Sequence, residues 1–269
     1  AEPLGFGHIE AIPVSALEGD NVFAHGDRMP WHRGPTLMEH LDTVEIPQPE
    51  RSESFRMPVQ WVNRPNLDFR GFAGIVSSGR IAVGDRVVAL PSARSSTVRT
   101  IVNGFDEISR AVAGQSITLV LNDELDVSRG DVLVEAGSRP DVADRFEATV
   151  IWMSEQAMLP GRSYLLKTNT QTVTAMVAPL KHKINVNTLE HTAAKRLELN
   201  DIGVCGLDLS KPIVFEPYRD NREMGGFILI DRLTNATVGA GLLHFALRRA
   251  HNVHWQALDV DKRARASQK

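Results

Sequence analysis

The chain has 269 residues, and its 30 Lys and Arg against 33 Asp and Glu give a formal net charge of −3. This balance argues against a general nucleic-acid-binding protein, because such proteins concentrate positive charge against phosphates. The single cysteine, Cys205, excludes an internal disulfide framework and a zinc site built on paired thiolates. No membrane-spanning run of roughly 18–20 apolar residues is present, and no signal-peptide pattern begins the chain. We therefore expect a cytoplasmic protein.

The first 50 residues differ in pattern from the remainder of the chain. Ala11–Val14 is an apolar run typical of a short strand, and the Gly- and Asp-containing segment after it predicts a loop. Thr36 and Glu39 have the spacing of a capping box, and apolar residues then recur on one helical face. We predict a short helix from Thr36 to about Val44, followed by a polar linker.

From about Arg56 onward, short apolar segments alternate with turns that contain Gly and Asp. Such an array favours a small closed barrel, because closure leaves no exposed strand edge. The predicted strands of this first block are Met57–Val62, Gly71–Val76, Arg80–Leu90, Thr97–Val102, Gln115–Leu121 and Asp131–Val134.

A second β-rich block begins near Phe146. Its predicted strands are Ala148–Met153, an alternating segment over Val173–Val177, Gly203–Leu209, Pro212–Phe215, Gly226–Asp231 and Thr237–Leu243. The segment Leu189–Leu199 fits a short helix or a loop equally well. Gly137–Asp144, which contains Pro140, is the predicted hinge between the blocks. The sequence thus predicts a mainly β protein with two barrels.

The chain lacks the sequence signals of a self-sufficient active site. A Walker-type phosphate loop needs Gly-Lys, and no glycine here is followed by lysine. Asp68–Gly71 matches the short pattern DxxG, but without a phosphate loop Asp68 is better explained as a turn residue. The acidic segment Asn122–Asp126 lacks the spacing of a calcium loop. His251 and His254 have no third ligand nearby in sequence, so we predict no metal ligand and no catalytic residue.

Three further side chains are assigned to the interior of the protein. Cys205 lies within an apolar segment and is predicted to be a buried small residue. Trp61 and Trp152 lie in predicted strands, and we expect them in the barrel cores rather than on a base-stacking surface.

Several segments closely resemble one known family. Residues 58–74, Pro-Val-Gln-Trp-Val-Asn-Arg-Pro-Asn-Leu-Asp-Phe-Arg-Gly-Phe-Ala-Gly, resemble the start of the second domain of CysN, the large GTP-dependent subunit of bacterial sulfate adenylyltransferase. Residues 13–22 resemble the last guanine-binding loop of translation-factor-type GTPases. Four more segments fit the family, and residues 253–262 are similar to the connector of its CysNC and NodQ-type kinase fusions. The four are 126–131, 158–161, 186–190 and 230–235.

The resemblance implies a layout in four parts. Residues 1–50 correspond to the end of a GTPase domain, 51–143 and 144–247 to two elongation-factor-like β-barrels, and 248–269 to a linker toward an adenylylsulfate kinase domain. In this family the GTPase subunit pairs with a small catalytic subunit that converts ATP and sulfate to adenylylsulfate and pyrophosphate, driven by GTP hydrolysis. The phosphate loop and the guanine-selecting NKxD would lie upstream of Ala1.

The resemblance carries over three nucleotide-binding residues, Ser15, Ala16 and Leu17. Backbone N–H groups there would contact the guanine carbonyl oxygen, and Leu17 would help to wall the base. GTP and Mg²⁺ are expected in the complete protein, whereas this chain alone is expected to bind neither and to be inactive. The expected partners are the small subunit and the kinase domain, with no nucleic acid and no membrane. Two alternatives remain, a translation-factor-like module that binds charged tRNA and a non-enzymatic barrel scaffold.

Overall fold

The computed structural model describes residue 6 and residues 8–45, 54–66 and 69–249. The chain forms two compact units, Ala1–Glu50 and Arg51–Lys269. Asp68, the histidine pair His251 and His254, and the segment 253–262 lie outside the described residues. Within those residues, no helix is long and apolar enough to cross a membrane.

In the first unit the helix forms, but the predicted strand does not. The helix α1 spans Leu37–Thr43. The capping box is present, because the Thr36 hydroxyl accepts from the Glu39 N–H at 3.3 Å and the Thr36 N–H donates to the Glu39 carboxylate at 2.9 Å. Ala11–Val14 was wrongly predicted as a strand, since the described part of this unit supplies no second strand to complete a ladder.

The second unit begins with a barrel built from an eight-stranded sheet and a two-stranded ribbon. The sheet order is β1-β10-β5-β6-β9-β3-β2, with β7 paired to β6, and β4 and β8 form the ribbon. The strands are β1 Arg56–Pro58, β2 Trp61–Asn63, β3 Gly71–Ile75, β4 Arg80–Ala82, β5 Arg86–Leu90, β6 Arg94–Asn103, β7 Asp106–Ile108, β8 Arg110–Val112, β9 Ser116–Leu121 and β10 Val132–Glu135. All six predicted segments contain strand, and two of them are divided.

The core of the first barrel is apolar and includes Phe55, Phe72 and Leu119, all buried. Trp61 is not part of it, because its side chain is 65% exposed. The expectation of a core tryptophan was therefore wrong at this position. Successive side chains of a strand point to opposite faces, and in β2 the neighbouring Val62 packs against the core.

The second barrel is a seven-stranded sheet in the order β12-β16-β17-β11-β15-β13-β14. Strand β12 pairs with both β16 and β13, which closes the sheet. The elements are β11 Asp141–Trp152, β12 Ser163–Lys167, β13 Thr172–Ile184, β14 His191–Thr192, β15 Ile202–Phe215, the helical turn α2 Arg222–Gly225, β16 Gly226–Ile230 and β17 Thr237–Arg249. The undecided segment Leu189–Leu199 contains the short strand β14 and turns.

Two predictions about the second core are confirmed. Trp152 is buried and packs edge-to-face against Tyr164, with ring centroids 5.5 Å apart. Cys205 is fully buried, and desolvation raises the pKa of its thiol to about 12. A thiol held neutral in this way acts as a small apolar residue and not as a nucleophile.

The two barrels meet at a buried ion pair and an apolar cluster. The Arg56 guanidinium, 3% exposed, donates through Nε to Glu216 at 2.8 Å. Its Nη1 also donates to the backbone oxygen of Ser138, within the predicted hinge segment. Beside this pair lie apolar side chains from both barrels. They are Val88, Leu90, Val132, Val134, Val142, Val214 and Met224.

Candidate functional site

The candidate site is the loop from Pro13 to Ala24 in the first unit. Its tip is a closed turn, because the Gly19 N–H donates to the Ser15 carbonyl at 2.8 Å and the Ser15 N–H donates to the Asp20 carbonyl at 3.1 Å. Gly19 has a φ of 79°, a left-handed conformation that glycine adopts without steric cost. The turn is therefore fixed by its own backbone.

Asn21 holds the base of the loop from the inside. Its side chain is fully buried, and its amide Nδ2 donates to the Pro13 carbonyl at 3.0 Å. Its Oδ1 accepts from the Gly26 N–H at 3.4 Å, and its backbone oxygen accepts from the Leu37 N–H at 2.9 Å. Asn21 thus joins Pro13, Gly26 and the start of α1 through hydrogen bonds.

A charged cluster supports the same loop. Arg28 bridges two carboxylates, with Nε 2.8 Å from Asp20 and Nη2 3.0 Å from Glu18. Asp20 packs so closely on Gly26 that a Cβ at residue 26 would lie 1.8 Å from its carboxylate oxygen. A larger side chain at residue 26 would displace the Asp20 side chain, which explains why glycine occupies this position.

The three residues singled out from the sequence lie together at the tip of the turn. The Ser15 hydroxyl accepts from the Glu18 N–H at 3.4 Å, so it stabilises the turn. Within the described residues, no acceptor takes the N–H of Ala16 or Leu17. The Leu17 side chain is 92% exposed. The turn therefore presents two adjacent backbone donors beside an apolar side chain, which suits a ligand with a carbonyl oxygen on a flat ring.

Comparison with known proteins identifies relatives over almost the whole chain. The bifunctional enzyme NodQ of Rhizobium sp. (strain N33) is 53% identical over 266 residues, which cover 99% of this chain and 41% of the relative. The bifunctional enzyme CysN/CysC of Xylella fastidiosa is 49% identical, covering 99% and 43%. Sulfate adenylyltransferase subunit 1 of Shewanella woodyi is 45% identical, covering 97% and 60%.

Over almost its whole length, the chain is homologous to the corresponding part of sulfate adenylyltransferase subunit 1, NodQ and CysN/CysC. It spans less than two thirds of the length of these relatives. The family model described as GTP-eEF1A C-terminal domain-like matches residues 145–244, which lie in the second barrel. Among solved structures, Sup35 complexed with GDP superposes with a TM-score of 0.68 at 26% identity, over 88% of this chain and 58% of that one. The resemblance found in the sequence is confirmed.

The second barrel contains two side-chain clusters that spacing in the sequence does not reveal. The rings of His182 and His191 stack at 3.8 Å between centroids, because β14 folds back along β13. Burial and the neighbouring imidazole lower the pKa of His182. Within the described residues, no group of three or more His, Cys, Asp or Glu is placed to hold a metal ion.

A second such cluster joins β11, β13 and β17. The His244 Nε2 lies 2.9 Å from the Thr149 hydroxyl, and its Nδ1 lies 3.3 Å from Glu147. Lys181 also donates to Glu147. Burial opposes the charge on Glu147, but the hydrogen bonds from Lys181 and His244 hold its pKa below the ordinary value. His244 and Thr149 are 95 positions apart, so only strand pairing could bring them together.

Proposed function

We propose that the chain is part of the GTP-dependent subunit of a sulfate adenylyltransferase. In the complete assembly a small catalytic subunit makes adenylylsulfate and pyrophosphate from ATP and sulfate, and GTP hydrolysis on the large subunit drives the reaction. The observation that carries the proposal is the Ser15–Gly19 turn, in which two N–H groups without an acceptor among the described residues lie beside the exposed Leu17. It occurs in a chain 45% identical to a sulfate adenylyltransferase subunit 1.

In this proposal the turn recognises guanine in the complete protein. The N–H groups of Ala16 and Leu17 donate to the guanine carbonyl oxygen, and the Leu17 side chain covers one edge of the base. A site that hydrogen-bonds a ligand group discriminates strongly against analogues that lack the group. GTP and Mg²⁺ are held in the complete protein mainly by residues outside this chain, so this chain alone binds neither with measurable affinity.

We divide the chain as the resemblance suggests. Residues 1–50 form the end of the GTPase domain, 51–143 and 144–247 form the two barrels, and 248–269 lead toward an adenylylsulfate kinase domain. The exposed apolar side chains of the first unit support the first assignment, because Phe23 and Trp31 are 76% and 70% exposed. Side chains of this size are usually at least partly buried, and in this proposal the remainder of the GTPase domain covers them.

The barrels in this proposal act as one body that transmits the nucleotide state to the small subunit. The buried Arg56–Glu216 pair and the apolar cluster around it support this role. A rigid element responds to a distant site by moving as a whole, as in the domain rotations of other switch proteins. The role rests on analogy of fold, and it requires that the barrels dock on the small subunit.

The test is titration calorimetry of this chain against the purified small adenylylating subunit, without nucleotide. We expect a Kd below about 10 μM, equivalent to about −7 kcal/mol. A parallel titration with charged tRNA is expected to give no heat, which separates the proposal from a translation-factor-like module. Absence of heat with the small subunit would contradict a docking role for the barrels.

A second measurement addresses the turn in the full-length protein. Replacing Leu17 with Ala removes the apolar wall but leaves the backbone donors, so GTP affinity is expected to fall by about tenfold. Leu233→Ala, at a leucine of the second barrel whose side chain is similarly exposed, is the matched control. Equal GTP affinity in wild type and Leu17→Ala would contradict the assignment of the turn.

A further inference from the structure

The second barrel contains a cavity, lined by both polar and apolar residues, that the proposed function does not use. We call it the Lys195 cavity; it has a volume of about 770 Å³. This is within the range of small-molecule sites, roughly 300–1,000 Å³. It lies between the β13–β14 hairpin and the segment that leads into β15. Its polar lining residues include Lys183, Asn185, Lys195, Arg196, Asn200 and Asp201.

The acidic groups of the cavity are already neutralised by its own cations. Lys183 pairs with Asp201 at 2.6 Å, and Arg196 pairs with Glu198 at 2.8 Å. Burial opposes the charge on Asp201, but the hydrogen bonds from Lys183 and from the Glu198 N–H lower its pKa, so the pair with Lys183 stays ionised. Lys195 has no acidic partner within the described residues. The charge that remains is positive.

Three consecutive backbone donors along the same wall are unpaired within the described residues. In the part of the chain that the structure describes, the backbone N–H groups of Ala194, Lys195 and Arg196 donate to no acceptor. The side-chain amide of Asn200 and the Nδ2 of Asn185 also have no partner there, whereas the Asn200 backbone N–H donates to the Trp152 carbonyl at 2.9 Å. Consecutive free backbone donors beside a lysine are the chemistry with which proteins bind phosphate and similar oxyanions.

Two residues at this end of the barrel adopt left-handed backbone conformations. Asn200, which lines the cavity, has a φ of 65°, and Leu189, in the loop of the β13–β14 hairpin, has a φ of 63°. Asparagine tolerates this region, whereas a leucine there is uncommon. Such conformations concentrate at ligand sites, where surrounding structure compensates for their cost. The Asn185 side chain stabilises the loop that contains Leu189, because its Oδ1 accepts from the N–H groups of Asn187 and Thr188.

We propose that the Lys195 cavity binds a small molecule that carries a phosphate or sulfate group. The oxyanion accepts from Lys195 Nζ and the free N–H groups of Ala194 to Arg196, and the amides of Asn185 and Asn200 bind the remainder of the ligand. The site is separate from the Ser15–Gly19 turn and needs no partner subunit. Failure of this proposal would therefore leave the proposed function unchanged, and the reverse also holds.

The test is calorimetric titration of the chain with three probes at constant ionic strength: inorganic phosphate, inorganic sulfate and adenosine 5′-monophosphate. We expect saturable binding of at least one probe, weakened about tenfold by Lys195→Ala, since one charge-assisted hydrogen bond is lost. Lys211→Ala is the matched control, because Lys211 is an exposed lysine of the same barrel outside the cavity. It is expected to change affinity by less than about twofold.

The pattern of affinities identifies the source of the oxyanion. Equal affinity for phosphate and the nucleotide would support a site that recognises the oxyanion alone. Tighter nucleotide binding would support one that also reads the sugar or base through Asn185 and Asn200. No saturation by any probe up to about 10 mM would overturn the proposal. Equal weakening by Lys195→Ala and Lys211→Ala would also overturn it, because it would reveal only diffuse attraction.

Discussion

The two units of the chain are stabilised in opposite ways. In the described part of the first unit, the buried residues are polar, namely Asp20, Asn21 and Thr36, while large apolar side chains such as Leu17 and Trp31 are exposed. The barrels have large apolar cores with aromatic centres such as Trp152. Burial of apolar area is the main favourable term in folding. The barrels therefore contain the source of their own stability, whereas the first unit relies on a small hydrogen-bonded network.

Tryptophan substitutions give the largest expected contrast. Trp152→Ala removes a buried ring and its contact with Tyr164, so the free energy of unfolding should fall by about 3–5 kcal/mol. Trp61→Ala removes a ring in β2 that is 65% exposed, so the free energy of unfolding should change by less than about 0.5 kcal/mol. Chemical denaturation followed by far-UV circular dichroism measures both. Similar losses in the two variants would contradict the assignment of the cores.

The barrel joint tests whether a polar group can also be critical in the second unit. Arg56→Ala leaves Glu216 in a largely buried position without its cation, and the expected loss is about 3 kcal/mol. Arg64→Ala, in a partly exposed pair with Glu124 at 3.7 Å, is the control and should cost less than about 1 kcal/mol. Two separate unfolding transitions in Arg56→Ala would show that the pair couples the barrels. A single unchanged transition would refute that coupling.

Asn21 offers the corresponding test within the first unit. Asn21→Ala removes the hydrogen bonds of its buried amide, for which we expect a local loss of about 1–3 kcal/mol. Hydrogen exchange should accelerate in residues 13–37 and stay constant in the barrels. Asn235→Ala is matched for backbone conformation, with a φ of 58° against 57°, but its side chain is exposed. Equal local effects in the two variants would mean that backbone strain and not the amide network determines the result.

The same contrast explains what the sequence could predict. Alternating apolar segments predicted the barrel strands because a strand that faces a core must repeat with a period of two. The capping box predicted α1 because it is a local contact between Thr36 and Glu39. Trp61 was assigned wrongly, since a short strand does not reveal which of its faces is buried. Ala11–Val14 was assigned wrongly because a strand needs a partner, and composition does not supply one.

The candidate site was predictable only in part, because some of its contacts join residues that are distant in the sequence. Ser15, Ala16 and Leu17 are contiguous, so resemblance alone located them on one turn. Their support by Asn21 and Arg28 depends on side-chain contacts 8 to 10 positions apart. The Lys195 cavity and the Glu147–His244–Thr149 cluster depend on strand pairing between distant segments. Long-range pairing is set by the whole fold and leaves no local signal.

The smallest expected effect concerns pH and the largely buried Glu147 of the second barrel. The pKa of Glu147 is lowered in the folded state, so its contribution to stability is complete above the unfolded value of about 4.3 and is lost as the pH falls through the folded value. Glu147→Gln should therefore be less stable than wild type at pH 7, by about 1 kcal/mol, because glutamine keeps an acceptor oxygen but loses the charge. The difference should shrink on acidification. Melting temperatures of both proteins from pH 7 to pH 3 measure this.

Glu155→Gln, in the turn after β11 and without an ion pair among the described residues, is the control and should show no such convergence. A gap that stays constant with pH would show that the Glu147 side chain acts through packing rather than charge, and the apolar core would then be the main source of stability in this barrel.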